Sequence, residues 1–176
     1  MRRLSQRGFT LTELMLVVAI VAALSTLAVY GVRKYVFASK AAEPIYMIGQ
    51  IKTAQEHWRE DFHAYYTVST TIDSFYPDTP NNAKRHWQNN AHADFQRWTF
   101  LGVSTPNPVQ FGYATVAGGP ADGKPNLGTT KVWTWPADGE PWFIVKAAGD
   151  LNEDGKFSLY VSSSYTQEIY AENESD

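Results

Sequence analysis

An α+β fold, with a long N-terminal helix packed on an antiparallel sheet, is predicted by three features of this 176-residue chain. Leu14 to Val32 is an uncharged apolar run of 19 residues. From Phe37 to Tyr65, apolar residues recur at a mean spacing of 3.5 residues, the helical period. After Pro108 the pattern changes to short runs rich in aromatic and β-branched residues, broken by Gly, Pro and Asp, as strands require. With 44% hydrophobic and 14% aromatic residues, the chain has material for one domain and its core. The absence of cysteine excludes disulfide scaffolds, thiolate metal centres and thiol catalysis. A net charge of −3 argues against nucleic acid as the main partner.

The first element is long enough to cross a membrane. Nineteen residues at helical rise reach about 28 Å, close to the hydrocarbon thickness of a bilayer. Ten of them are Leu, Ile or Val, which together favour insertion by about 3 to 6 kcal/mol. Arg2, Arg3 and Arg7 precede the run, so the N-terminus is expected in the cytoplasm and the rest of the chain beyond the membrane. A cleaved secretory signal fits less well, because its apolar region is shorter and ends in an Ala-x-Ala-like site absent here. Glu13, at the start of the run, is costly in an apolar setting and has no basic residue within helical reach before Arg33, so its partner is expected outside its own helix.

Residues 7 to 20, Arg-Gly-Phe-Thr-Leu-Thr-Glu-Leu-Met-Leu-Val-Val-Ala-Ile, resemble the N-terminus of type IV pilins. The resemblance implies that a prepilin peptidase cuts after Gly8 and methylates the new amine of Phe9, and that Glu13 is the family's assembly acid. In that family the carboxylate is thought to meet the terminal amine of a neighbouring subunit, so two costly charges are satisfied together by homo-oligomerisation into a helical filament. The implied course is a single-pass inner-membrane precursor that becomes an extracellular pilus. This chain departs from the family at Thr12, where an apolar residue is usual, and at Tyr30, where many members have proline. The expected organisation is a leader at 1–8, a transmembrane and filament-core helix half at 9–36, an amphipathic half at 37–65, a connecting region at 66–108 and a sheet-bearing head region at 109–176.

In the amphipathic half, Phe37, Ala41, Ile45, Ile48, Ile51, Ala54, Trp58, Phe62 and Tyr65 form the expected inner face, while Lys52, Glu56, Arg59 and Glu60 look outward. If helical from Thr10 to Tyr65, the rod is about 84 Å long, and Pro44 is expected to kink it. Ser25, Thr26 and Gly31 are places where the helix can loosen, with an uninterrupted helix the alternative. Beyond it, the connecting region is expected to hold a short helix over Asn90–Leu101, stopped by Gly102. Strands are predicted at Val109–Ala117, Thr129–Trp135, Trp142–Ala147 and Lys156–Ser163, in an antiparallel meander. Pro120-Ala-Asp-Gly-Lys-Pro125 recurs as Pro136-Ala-Asp-Gly-Glu-Pro141, each Asp-Gly suited to a tight turn.

Asp150, Asn152 and Asp154, followed by Gly155, match the first half of a calcium loop. Calcium takes six to eight oxygens, and Val161 stands where the bidentate Glu would be, so Glu153, Ser158, carbonyls or tail acids have to complete the site. Some pilins and type II secretion pseudopilins do use calcium in this region. The alternative is a hairpin turn at Asp154-Gly155 in which Asp150 and Asn152 bond locally. His57, His63, His86 and His92 lack metal-ligand spacing, and no catalytic or phosphate-binding motif is present, so no enzyme and no required cofactor are expected. The six Trp and ten Tyr suit strand faces and core more readily than a binding surface. Asn173-Glu-Ser175 matches a glycosylation sequon.

The expected function is therefore that of a type IV pilus subunit, in adhesion, motility, DNA uptake or secretion. The alternatives are a minor pilin or type II secretion pseudopilin, and a single-pass anchored, calcium-dependent binding module.

Overall fold

The computed structural model describes residues 8–135 and 139–174, apart from the side chains of Arg33, Lys34, Phe37 and Ala38. Arg2, Arg3, Arg7, most of the second Pro-Ala-Asp-Gly repeat and Ser175 lie outside the described residues, as does the side chain of Phe37. The contacts divide the chain into two compact units, the first ending at Val36 and the second starting at Phe37.

Helix α1, Leu11–Lys40, accounts for the described secondary structure of the first unit. Its segment Leu11–Val32 has a mean hydropathy of 2.4, and none of it is buried. An apolar helical surface exposed in this way suits lipid or other chains. The helix runs unbroken through Ser25, Thr26 and Gly31. Ser25 donates to the Val21 carbonyl and Thr26 to the Ala23 carbonyl, each at 2.7 Å, so both hydroxyls are satisfied inside the apolar segment.

The second unit contains the rest of the chain in the order α2 (Ala42–Phe62), α3 (Phe95–Leu101), β1 (Gly112–Gly118), β2 (Trp142–Gly149), β3 (Ser158–Ser163) and β4 (Thr166–Glu172). Regular helix stops at Lys40 and restarts at Ala42. The cause is Pro44, which has no N–H for the Lys40 carbonyl and whose ring crowds that turn. At the other end His63 takes a left-handed conformation with φ 54° and closes α2, so Tyr65 lies beyond the helix.

The strands form one antiparallel meander in the order β1-β2-β3-β4. Side chains alternate between two cores, as the period of two dictates. Tyr113, Phe143, Val145, Ala147 and Tyr160 face the larger core with Met47, Ile48 and Ile51 of α2. Ala114, Val116, Trp142, Ile144 and Val161 face a smaller core with Ile72 and Leu127, on which Trp133 and Trp135 pack. Both faces of β2 are thus covered, and all eight of its residues are buried.

The connecting region contributes structure to the domain. Val68, Ile72, Tyr76, Trp87, Trp98, Leu101 and Val103 are all buried. Its segment around 67–76 protects the free edge of β1: Tyr76 and Tyr113 exchange backbone hydrogen bonds of 2.9 and 2.7 Å, and the Thr115 carbonyl accepts from the N–H groups of Val68 and Ser69. An edge covered in this way cannot recruit a foreign strand.

Four expectations need correction. Thr129–Trp135 is not a strand; Gly128 has φ 65°, Thr129 Oγ1 bonds the Lys131 carbonyl, and the Trp133 indole bonds Thr129. These local bonds replace a ladder, and the fourth strand is instead Thr166–Glu172, after a turn at Ser164–Tyr165. The short helix begins at Phe95, not Asn90, and does end at left-handed Gly102. The buried stripe of α2 is Pro44, Met47, Ile48, Ile51 and Gln55, whereas Ile45 is 47% and Phe62 60% exposed. Lys52 does not look outward; it is half-buried and donates to Ser162 Oγ and the Thr166 carbonyl, and burial pulls its pKa below the ordinary lysine value.

Candidate functional site

The residues singled out at the N-terminus lie in a short segment and the first helical turn. Gly8 and Phe9 precede α1 in non-helical backbone, Phe9 is 85% exposed, and nothing approaches within 4 Å of a Cβ built on Gly8.

Thr10 and Glu13 close the start of α1 as a capping box. The Thr10 N–H donates to Glu13 Oε2 at 2.9 Å, and the Glu13 N–H donates to Thr10 Oγ1 at 3.2 Å. The Thr10 hydroxyl also donates to Glu13 Oε2 at 2.7 Å. Such reciprocal bonds satisfy two of the four amide donors that a helix start leaves free, and a carboxylate is favoured at that end of the dipole. The Thr-x-x-Glu spacing is the sequence signal for this cap. The intramolecular partner of Glu13 lies three residues before it.

A family pattern described as the prokaryotic N-terminal methylation motif matches residues 3–29. The chain carries a prepilin-type methylation motif. In that motif the chain is like type IV pilins and pseudopilins. The motif implies processing by a prepilin peptidase and assembly into pilus-like filaments. No curated protein and no solved structure matches the chain.

The second place singled out is the β2–β3 loop of the head. Here the structure brings Asp150, Asn152 and Asp154 into consecutive turns. Asp150 Oδ2 accepts the Gly155 N–H at 3.2 Å, Asn152 Oδ1 the Asp154 N–H at 3.0 Å, and Asp154 Oδ1 the Lys156 N–H at 2.8 Å. Glu153 and Gly155 have φ of 59° and 83°, which produce the sharp bend. Asp150 is only 8% exposed, and its Oδ1 is buried with no hydrogen-bond partner. Among the described residues no group of three or more His, Cys, Asp or Glu could hold a metal ion. Ser158 donates to the Asn173 carbonyl at 3.0 Å, which ties β3 to the end of β4.

Three polar residues that sequence reasoning did not single out hold the head together. Glu43 Oε1 accepts from the N–H groups of Gln110 and Phe111 and from the Tyr113 hydroxyl, at 2.8, 3.1 and 3.0 Å. Burial, then the Glu43 charge, push the Tyr113 hydroxyl well above the ordinary tyrosine range. Gln55, fully buried, donates to the Tyr66 carbonyl at 2.7 Å and accepts the Tyr66 N–H at 2.9 Å. Lys146, central in β2, donates to Asp73 at 2.6 Å and to the Leu127 carbonyl at 2.8 Å, fastening two loops over the smaller core. Only their polarity inside apolar patterns could have marked them.

Proposed function

We propose that this protein is a filament-forming pilin subunit, cut between Gly8 and Phe9, methylated on the Phe9 amine, and held to its neighbours through Glu13. The precursor spans the inner membrane once with its N-terminus in the cytoplasm, and the mature chain joins an extracellular type IV pilus. The observation that carries this reading is the methylation motif at 3–29, set on a helix whose segment Leu11–Val32 has no buried residue. Lipid covers such a surface before assembly and sister helices cover it afterwards. Neighbouring copies of the same helix are the partner that the motif implies. In this reading Glu13 contributes the negative charge and Phe9 of the next subunit the positive one, and the pair sets the axial step between subunits.

The test is intact mass and N-terminal sequence of the polypeptide in sheared surface filaments. N-methyl-Phe9 at the start of the recovered chain, with filaments lost in Gly8→Ala or Glu13→Ala, is the expected result. A full-length chain confined to the membrane would instead support an anchored binding module. Recovery only in trace amounts beside a different main subunit would identify a minor pilin or pseudopilin.

For the β2–β3 loop we propose calcium binding, with Asp150, Asn152 and Asp154 as side-chain ligands and backbone carbonyls completing the shell. The buried, partnerless Oδ1 of Asp150 supports it, since an unsatisfied carboxylate oxygen is costly unless a cation or water meets it. Calcium there would staple the β2–β3 connection in a head that has no disulfide.

A further inference from the structure

The pilin reading gives Glu13 its charge and its partner, but not the means by which a flexible carboxylate at a helix start is aimed. The hydrogen-bond bookkeeping of the first turn supplies one. Thr10 Oγ1 has a single proton, and it lies 2.7 Å from Glu13 Oε2. A carboxylate oxygen beside an N–H donor acts as acceptor, so that proton is committed to Oε2. Thr10 Oγ1 also lies 3.1 Å from Thr12 Oγ1. With the Thr10 proton already used, Thr12 has to be the donor in that contact. The two lone pairs of Thr10 Oγ1 are then filled by the Thr12 hydroxyl and by the Glu13 N–H at 3.2 Å.

The result is a directed relay, Thr12 to Thr10 to Glu13, in which the Thr10 hydroxyl makes three bonds and the side chain cannot rotate about χ1 without breaking all of them. Bonds in such a chain polarise one another, which strengthens the charge-assisted final link. Every contact made by Thr10 to the carboxylate falls on Oε2. Oε1 accepts no hydrogen bond among the described residues. One oxygen therefore holds the helix start, and the other keeps its full acceptor capacity.

Resting on the proposed pilin function, we infer that Thr10 and Thr12 are positioning residues for assembly: their hydroxyls lock Glu13 through Oε2 and present Oε1 to the terminal amine of the next subunit. The carboxylate then loses little rotamer freedom on pairing, because its geometry is fixed beforehand. Thr12 gives the relay its specificity to this chain. A hydroxyl at the start of a lipid-facing helix carries a desolvation cost, and the bond to Thr10 offsets it.

The experiment uses the full-length chain, expressed with its own processing and assembly machinery, and compares wild type with Thr10→Val, Thr12→Val and Thr12→Ser. For each, the fraction cleaved is read by intact mass and the assembled fraction by sheared-filament yield. Valine keeps the β-branched shape of threonine and removes only the hydroxyl. Thr10→Val is expected to stay cleaved and to lose filaments at least tenfold, Thr12→Val to stay cleaved and lose them several-fold, and Thr12→Ser to return to the wild-type yield. Wild-type yield in Thr12→Val overturns the relay. Failure of Thr12→Ser to recover also overturns it, since shape and not the hydroxyl would then be what matters. Loss of cleavage in either valine variant overturns it too, by assigning the hydroxyls to peptidase recognition. Absence of both cleavage and filaments in the wild type would remove the pilin reading itself, which separates the two failures.

Discussion

Glu43 Oε1 accepts the Tyr113 hydroxyl at 3.0 Å, and this one bond joins the first turn of α2 to the middle of the head's larger core. The same oxygen takes the amides of Gln110 and Phe111, so a single carboxylate fixes the entry to β1 against the helix. Glu43 is also acidic in the first turn of α2, where the helix dipole favours it. Removing the carboxylate leaves two amides and a buried hydroxyl without an acceptor. Hydrogen bonds to charged groups are worth about 1.5–3 kcal/mol each, with partial replacement by water here. Glu43→Ala is therefore expected to destabilise the head by about 2–4 kcal/mol and Glu43→Gln by about half of that, in denaturant titrations of the full-length protein in detergent micelles. Equal, negligible losses for both would show that the three bonds are replaced by solvent.

Alkaline pH should weaken the fold through the buried tyrosines. Burial pushes the Tyr160 hydroxyl up to about 12, with the Glu174 charge adding to it, and Tyr113 is raised as well. Above pH 10 the unfolded chain releases these protons while the folded chain keeps them, so stability falls with pH. The tyrosine contribution should be level below about pH 10 and decline between about 10 and 12, by of order 2 kcal/mol for Tyr160. Tyr160→Phe should flatten that limb in unfolding titrations, and an unchanged slope would exclude Tyr160 as the cause.

Gly149 is the end of β2, and a Cβ there would stand 2.6 Å from Cε1 of Phe111, whose ring is buried. Gly149→Ala forces that ring off its packing and should cost about 1–3 kcal/mol. Gly123→Ala meets nothing within 4 Å and serves as the comparison, with a change near zero. Both are read as denaturant midpoints, and equal midpoints would show that the Phe111 side can relax.

Metal dependence of the β2–β3 loop is read as a thermal midpoint. Calcium at about a hundred times its dissociation constant should add about 2.7 kcal/mol, a shift of several degrees, and a chelator should reverse it. Asp150→Asn, which keeps the shape and the turn but removes the charge, should lose most of that shift. The same midpoint with calcium and with chelator removes the site.

Legibility in the sequence followed the range of the interactions. The N-terminal motif, the apolar helix and the strands near 112–118, 142–149 and 158–163 were readable because local pattern fixes them: burial periodicity, turn residues and contiguous motif residues. Thr129–Trp135 was misread because its aromatic, β-branched composition suits a strand, while Gly128 and side-chain bonds from Thr129 hold it as a loop over the smaller core. Gln55 and Lys146 were not readable, since a buried polar residue is tolerated only where distant groups such as Tyr66 and Asp73 come to meet it.

By itself the sequence determined that this chain carries a prepilin-type motif, an uncharged apolar run from Leu14 to Val32 and one acid at the edge of that run. Those properties are carried by contiguous residues, and contiguity survives unfolding. Only the tertiary structure decided which face of α2 is buried, which segment guards the edge of β1, and that Asp150 is left with a buried oxygen. Each of these depends on groups far apart in the chain, and their positions exist only once the sheet has closed against the helix.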